Sequence, residues 1–128
     1  MGNLKKAIIS FDKAIKIDDK PIVFLVNKGL VLRLIGDTIL ANKSFQNAIE
    51  IQPDSNNIEH FTYKGIAFYK LGKYKDAIEE VKKGLHIDPD NSYALVILGV
   101  AYSLMENNTF CNKTSYIDSW TLMVFLTC

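Results

Sequence analysis

The chain has 128 residues, 48% of them hydrophobic, with 15 lysines and arginines against 14 aspartates and glutamates and a net charge of +1. That length and apolar content allow one domain with a buried core, and so small a net charge builds no field for a nucleic acid. No apolar run reaches the roughly 18–20 residues of a membrane span, and the opening MGNLKKAIISFDK lacks the apolar core of a secretory signal. A cytoplasmic protein is expected, with neither nucleic acid nor membrane as partner.

The first element is a helix over residues 3–17, carrying Ala7, Phe11 and Ala14 on one face. Its landmarks come back further along the chain. Ala7, Ala41 and Ala77 are separated by 34 and then 36 residues, as are Ile17, Ile51 and Ile87, and Gly2, Gly36 and Gly72. Phe11 to Phe45 and Ala14 to Ala48 are again 34 apart, Pro53 to Pro89 is 36, and Gly29, Gly65 and Gly99 step by 36 and 34. A repeat of about 34 residues accounts for all of them. The two extra residues fall in QPDSNN, residues 52–57, whose Pro, Asp, Ser and Asn mark a surface turn that tolerates insertion.

Residues 58–91 show what one unit contains. Phe61, Gly65 and Phe68, then Ala77, Val81, Gly84 and Leu85, recur at three- and four-residue spacings, the period of two amphipathic helices. LGKY, residues 71–74, breaks them apart with Gly72 where a left-handed residue is wanted, and the second helix ends before Pro89. Gly65, Ala77 and Gly84 are too small to fill a core, so they belong where the helices approach closely, with Gly65 facing Ala77. Residues 92–105 repeat the first helix through Leu95, Leu98, Gly99 and Tyr102. The tail after residue 106 breaks the pattern. Polar residues up to Ser119 predict a loop, followed by a helix with Tyr116, Trp120, Met123 and Val124 on one face, although WTLMVFL also suits a strand.

This pattern resembles the tetratricopeptide repeat. Residues 58–91 match its motif at Phe61, Gly65, Phe68, Ala77 and Pro89, with Lys64 in place of the usual Leu and with Val81 and Gly84 for the later Phe and Ala. Residues 22–55 match at Leu25, Gly29, Ala41, Phe45, Ala48 and Pro53, and the resemblance covers roughly residues 1–105. It implies an all-α fold, a right-handed superhelical stack of antiparallel helix hairpins. The expected parts are a partial repeat over 1–21 that supplies a second helix only, whole repeats over 22–57 and 58–91, a first helix over 92–106, and a divergent tail over 107–128, whose apolar run is expected to cap the last repeat or else to fill the groove. Beginning partway through a unit implies either a longer array or a homodimer through the exposed repeat ends.

Catalytic and metal-binding chemistry find little support. His60 and His86 each lack a His or Cys partner at i+3 or i+4 and are expected in solvent. Cys111 and Cys128 form no CxxC pair, so free thiols in a reducing compartment are expected. DPDNS, residues 88–92, opens like a calcium loop, but Tyr93 and Gly99 stand where that loop needs Gly and Glu. Lys75, Glu79 and Lys83 stand at i, i+4 spacings that predict ion pairs on a wet face of the second helix. No enzyme, cofactor or metal is therefore expected.

In solenoids of this kind the first helix of each unit lines the concave side. The resemblance assigns that surface to Val23, Val26, Leu30 and Arg33, to Thr62, Ile66, Tyr69 and Lys70, and to Tyr93, Val96 and Val100. Tetratricopeptide domains that grip acidic chaperone tails carry Lys, Asn and Arg there. Here Val26, Leu30, Thr62, Ile66, Val96 and Val100 fill the corresponding places, so that clamp is absent and the groove is mainly apolar. A non-catalytic scaffold is expected, binding a peptide or helix of an unidentified protein; the alternative is a structural or self-associating segment with no separate ligand.

Overall fold

The computed structural model describes the backbone of residues 2–113 and the side chains of residues 2–107. Its elements in chain order are helices α1 (Gly2–Ile17), α2 (Ile22–Ile35), α3 (Thr38–Glu50), α4 (Ile58–Lys70), α5 (Tyr74–Ile87) and α6 (Ser92–Lys113). The described residues form an all-α stack in which α2 pairs with α3 and α4 with α5 as antiparallel hairpins, flanked by α1 against α2 and α6 against α5.

Local chemistry explains the two tight turns. Gly36 and Gly72 have φ of 98° and 81°, in the left-handed region that glycine enters at no steric cost. The Gly36 N–H donates to the Arg33 carbonyl and the Asp37 N–H to that of Leu32; the Gly72 N–H donates to Tyr69 and the Lys73 N–H to Phe68. Both sets are the paired bonds that close a helix on an αL residue and turn the chain straight into the next helix. At the start of α3, Asp37 accepts from the Leu40 N–H at 3.1 Å, and Asn57 and Asn91 cap α4 and α6 in the same way.

The α5 start departs from this rule. Lys73 occupies the place that Asp37 holds one unit earlier, yet it makes no side-chain bond to the helix. Its positive charge also lies at the positive end of the helix dipole. Lys73→Asp is therefore expected to raise stability by about 1 kcal/mol, read as a shift in the midpoint of urea denaturation. A lower midpoint would mean that Lys73 serves some other contact.

Among the described residues the core has two apolar clusters: the smaller gathers Ala77 and Ile78 of α5 with Ala101 of α6, and the larger runs through the stack. Ile22, Leu25, Val26 and Leu32 of α2 join Ala41, Phe45 and Ala48 of α3, Ile66 and Ala67 of α4, Val81 of α5, and Ala94 and Ile97 of α6, with Ile8 and Ile15 of α1 packed against them. The glycines mark the tightest crossings. A Cβ on Gly29 would lie 2.6 Å from the Phe45 ring, and one on Gly65 would fall inside the Val81 side chain. Gly65 thus faces Val81 rather than the Ala77 side chain; Ala77 approaches only through its carbonyl oxygen, 3.4 Å from that Cβ position. Val81 stands where Phe45 stands one unit earlier, so glycine meets the same rung of the facing helix in both hairpins. Gly84 serves a second crossing, with Phe61 and Ile58 3.2 and 3.3 Å from its Cβ position.

Lysine in place of leucine has a structural role. Lys64 is buried, and its Nζ donates to the Ile51 carbonyl at the end of α3, 2.9 Å away. Burial holds its ammonium below the ordinary lysine range; Glu80 opposes that shift and Lys83 adds to it. Lys28, at the same place in the preceding unit, pairs with Asp12 of α1. Each lysine ties its hairpin to the helix before it.

Three further expectations are corrected. The ion pair on α5 joins Lys83 to Glu80 at 3.3 Å rather than to Glu79, because Glu80 is buried, where water screens its charge less. His60 is partly buried rather than solvated, and its Nδ1 accepts from the Asp54 N–H at 3.0 Å, which holds the turn after α3. The helix expected to end near residue 106 continues to Lys113, as no Gly or Pro interrupts ENNTFCNK. The expectations for Tyr116, Trp120, Met123 and Val124 lie outside the described residues.

Candidate peptide-binding groove

Helices α2, α4 and α6 lie side by side, α4 packing on both neighbours. The residues assigned to the concave side line up along this face, but their exposure is graded. Val26, Thr62 and Ile66 are buried and form the seams between first helices, with Thr62 Oγ1 donating back to the Ile58 carbonyl at 2.9 Å. Val23, Leu30, Arg33, Tyr69 and Lys70 are half-buried. Tyr93, Val96 and Val100 are 47%, 59% and 36% exposed, since α6 has no further first helix against it among the described residues. The accessible part of this face is therefore the α6 strip and the half-buried rims. Val26, Thr62 and Ile66 lie beneath it.

Two clefts open on this face. One, of about 310 Å³, lies between the starts of α4 and α6 and is lined by Ile58, Glu59, Thr62, Tyr63, Asn91 and Tyr93. The Tyr63 and Tyr93 rings stand 6.1 Å apart at 40°, and burial together with the neighbouring phenol pushes the Tyr93 hydroxyl above the ordinary tyrosine range. The other, of about 410 Å³, lies at the opposite ends of α2 and α4 and is lined by Arg33, Tyr69, Lys70, Leu71, Gly72, Tyr74 and Leu104. Glu59, Tyr63 and Asn91 escaped the sequence reading because they stand beside the repeat's concave positions. Only the contact between units brings them to the cleft. No group of three or more His, Cys, Asp or Glu side chains that could hold a metal occurs among the described residues.

Comparison with known proteins agrees with the helical arrangement. A family profile described as "TPR repeat" matches residues 65–105, and one described as "Tetratricopeptide repeat" matches residues 1–21. The chain is 30% identical over 73% of its length to the tomato (Solanum lycopersicum) protein named probable UDP-N-acetylglucosamine–peptide N-acetylglucosaminyltransferase SPINDLY, of which it covers 10%. It is 31% identical over 66% of its length to the STIP1 homolog of Dictyostelium discoideum, covering 15% of that protein. Human tetratricopeptide repeat protein 6 is 27% identical over 83% of the chain and is covered over 20% of its own length. The chain thus spans a fifth or less of these relatives. The crystal structure of MamA superposes with a TM-score of 0.54 at 22% identity, over 82% of this chain and 60% of MamA. With a 34-residue spacing, glycine-closed hairpins and matches at both ends of the described stack, the chain belongs to the tetratricopeptide-repeat family.

Proposed function

We propose that this chain is a non-catalytic interaction module that lays a peptide or helix of another protein across α2, α4 and α6. Tetratricopeptide repeats are protein–protein interaction modules. The observation that carries the reading here is the exposed apolar strip Tyr93, Val96 and Val100, bounded by a cleft towards each end of α4. Apolar side chains at that density on one face are a binding surface in search of a cover. Glu59 in one cleft and Lys70 in the other are 11 residues apart on α4, about 16 Å at 1.5 Å per residue. An extended peptide covers that distance with about five residues. No described helix is long and apolar enough to cross a membrane, and a cytoplasmic setting is part of the proposal.

The test begins with a peptide library selected on the full chain. The best binder is then titrated against Val96→Glu, which places a charge on the exposed strip without touching the core. Affinity is expected to fall tenfold or more, equivalent to about 1.4 kcal/mol, with an unchanged thermal melt. A binder indifferent to that substitution sinks the groove reading. The rival is self-association, favoured by Ile9 and Ile17 of α1, which are 56% and 83% exposed; a solution mass that doubles with concentration, and reverts with Ile9→Ser and Ile17→Ser, would establish it instead.

A further inference from the structure

The last turns of α2 and α4 bring two cations into the second cleft, with no carboxylate among the described residues that line it. Arg33 Nη2 donates to the Lys70 carbonyl at 2.7 Å and to Asn42 Oδ1 at 3.3 Å, and its guanidinium lies over the Phe45 ring, 5.4 Å from the centroid. These contacts hold its plane in place. Its Nε–H is buried and has no acceptor among the described residues. Lys70 Nζ lies 5.7 Å from the centroid of its neighbour Tyr69, and among the described residues the ion pairs are Lys28 with Asp12 and Lys83 with Glu80, neither of which reaches this cleft.

A structural role for these residues accounts for part of this arrangement. Cations at helix C-termini complement the dipole, and Arg33 Nη2 on the Lys70 carbonyl is such a contact. It leaves two facts over. A buried donor without a partner is rare because it forfeits its hydration for nothing, and two neighbouring like charges in a half-buried cleft repel. Lys70 shows the strain, its ammonium held below the ordinary lysine range by burial and then by Arg33. One anion bridging the Arg33 guanidinium and the Lys70 ammonium would offset that repulsion. The cleft can also supply phenolic donors from Tyr69 and Tyr74, and burial raises the Tyr69 hydroxyl above the ordinary tyrosine range.

We propose that the Arg33–Lys70 cleft is an oxyanion site that takes a carboxylate or phosphate carried by the ligand in the groove. It stands apart from the concave places at which acid-gripping tetratricopeptide domains carry their cations, which here hold Val26, Leu30, Thr62 and Ile66. The planar Arg33 fork supplies geometry, and Lys70 supplies a mobile point charge. The identity of the anion's carrier rests on the groove reading. The site itself does not, and small ions test it alone.

The experiment is a titration of the full-length 15N-labelled chain with sodium phosphate and, separately, sodium acetate, each matched in ionic strength with sodium chloride and followed by NMR. Saturable shifts are expected at the Arg33 Nε–H and at the Lys70, Leu71 and Gly72 amides, weakened fivefold or more by Arg33→Lys, which keeps the charge and removes the fork, and by Lys70→Met. Saturation by phosphate alone identifies a phosphorylated ligand; saturation by both identifies a carboxylate or phosphate without preference. Shifts that fail to saturate, that match the chloride series, or that survive Lys70→Met overturn the site. Saturation combined with a library binder indifferent to Val96→Glu would leave the oxyanion site standing and remove the groove.

Discussion

Phe45→Ala should lower the unfolding free energy by about 3–5 kcal/mol. Phe45 is the largest fully buried side chain among the described residues, and its ring fills the space that Gly29 leaves open on α2. Truncation removes the ring from a helix–helix contact whose backbones cannot close further, because they already stand at glycine distance. The loss is therefore transfer energy plus an unfilled cavity. A domain of this size has roughly 5–15 kcal/mol in all, so the variant should be partly unfolded at moderate urea. The ring also supports the Arg33 guanidinium, so the variant's Arg33 Nε–H resonance should lose its fixed position. Urea denaturation measures the first effect, and a loss below about 1 kcal/mol would show that the α2–α3 crossing is looser than its geometry.

Gly65→Leu should cost about 3 kcal/mol, the upper part of the range for overpacking, because even the first added carbon would occupy the space of the Val81 side chain. The smaller change is more discriminating. Gly65→Ala gains about 1 kcal/mol of helix propensity and should still destabilise the native background through that clash. In a Val81→Ala background the clash is gone, and Gly65→Ala should then stabilise. A double-mutant cycle reads this reversal as a coupling of about 1–3 kcal/mol. If the two substitutions are additive, Gly65 is small for some reason other than Val81.

The extent to which this fold was legible beforehand follows from which interactions are local. Gly36 and Gly72 declare their turns because the αL requirement belongs to one residue, and the helix faces follow from spacing within one helix. Which rung of α5 meets Gly65 depends on how the two helices cross, and spacing within either helix is silent on that; hence small size alone points to Ala77 where Val81 stands. Lys64 reads as a mismatch in sequence because its acceptor is the main-chain carbonyl of Ile51, and a carbonyl has no letter. The groove was legible as a line of positions. The burial of Val26, Thr62 and Ile66 beneath it is set by the spacing between successive hairpins, and Glu59, Tyr63 and Asn91 reach their cleft only through contact between units.

Lys28 and Lys64 occupy the same place in successive units, while Leu98 holds it in α6. An apolar interface between stacked hairpins tolerates a slip of one turn, since one methyl group replaces another at little cost. A buried ammonium does not, because any slip leaves it without its oxygen. Lys64 needs the end of a preceding helix 2.9 Å away, and Lys28 needs a carboxylate. The units of this array are accordingly not interchangeable parts. A copy of residues 22–57 spliced in behind another unit would meet Gln46 or Lys82 where Lys28 now meets Asp12, and would carry an unanswered charge into the joint, whereas a unit that opens like α6, with leucine in that place, could follow any neighbour.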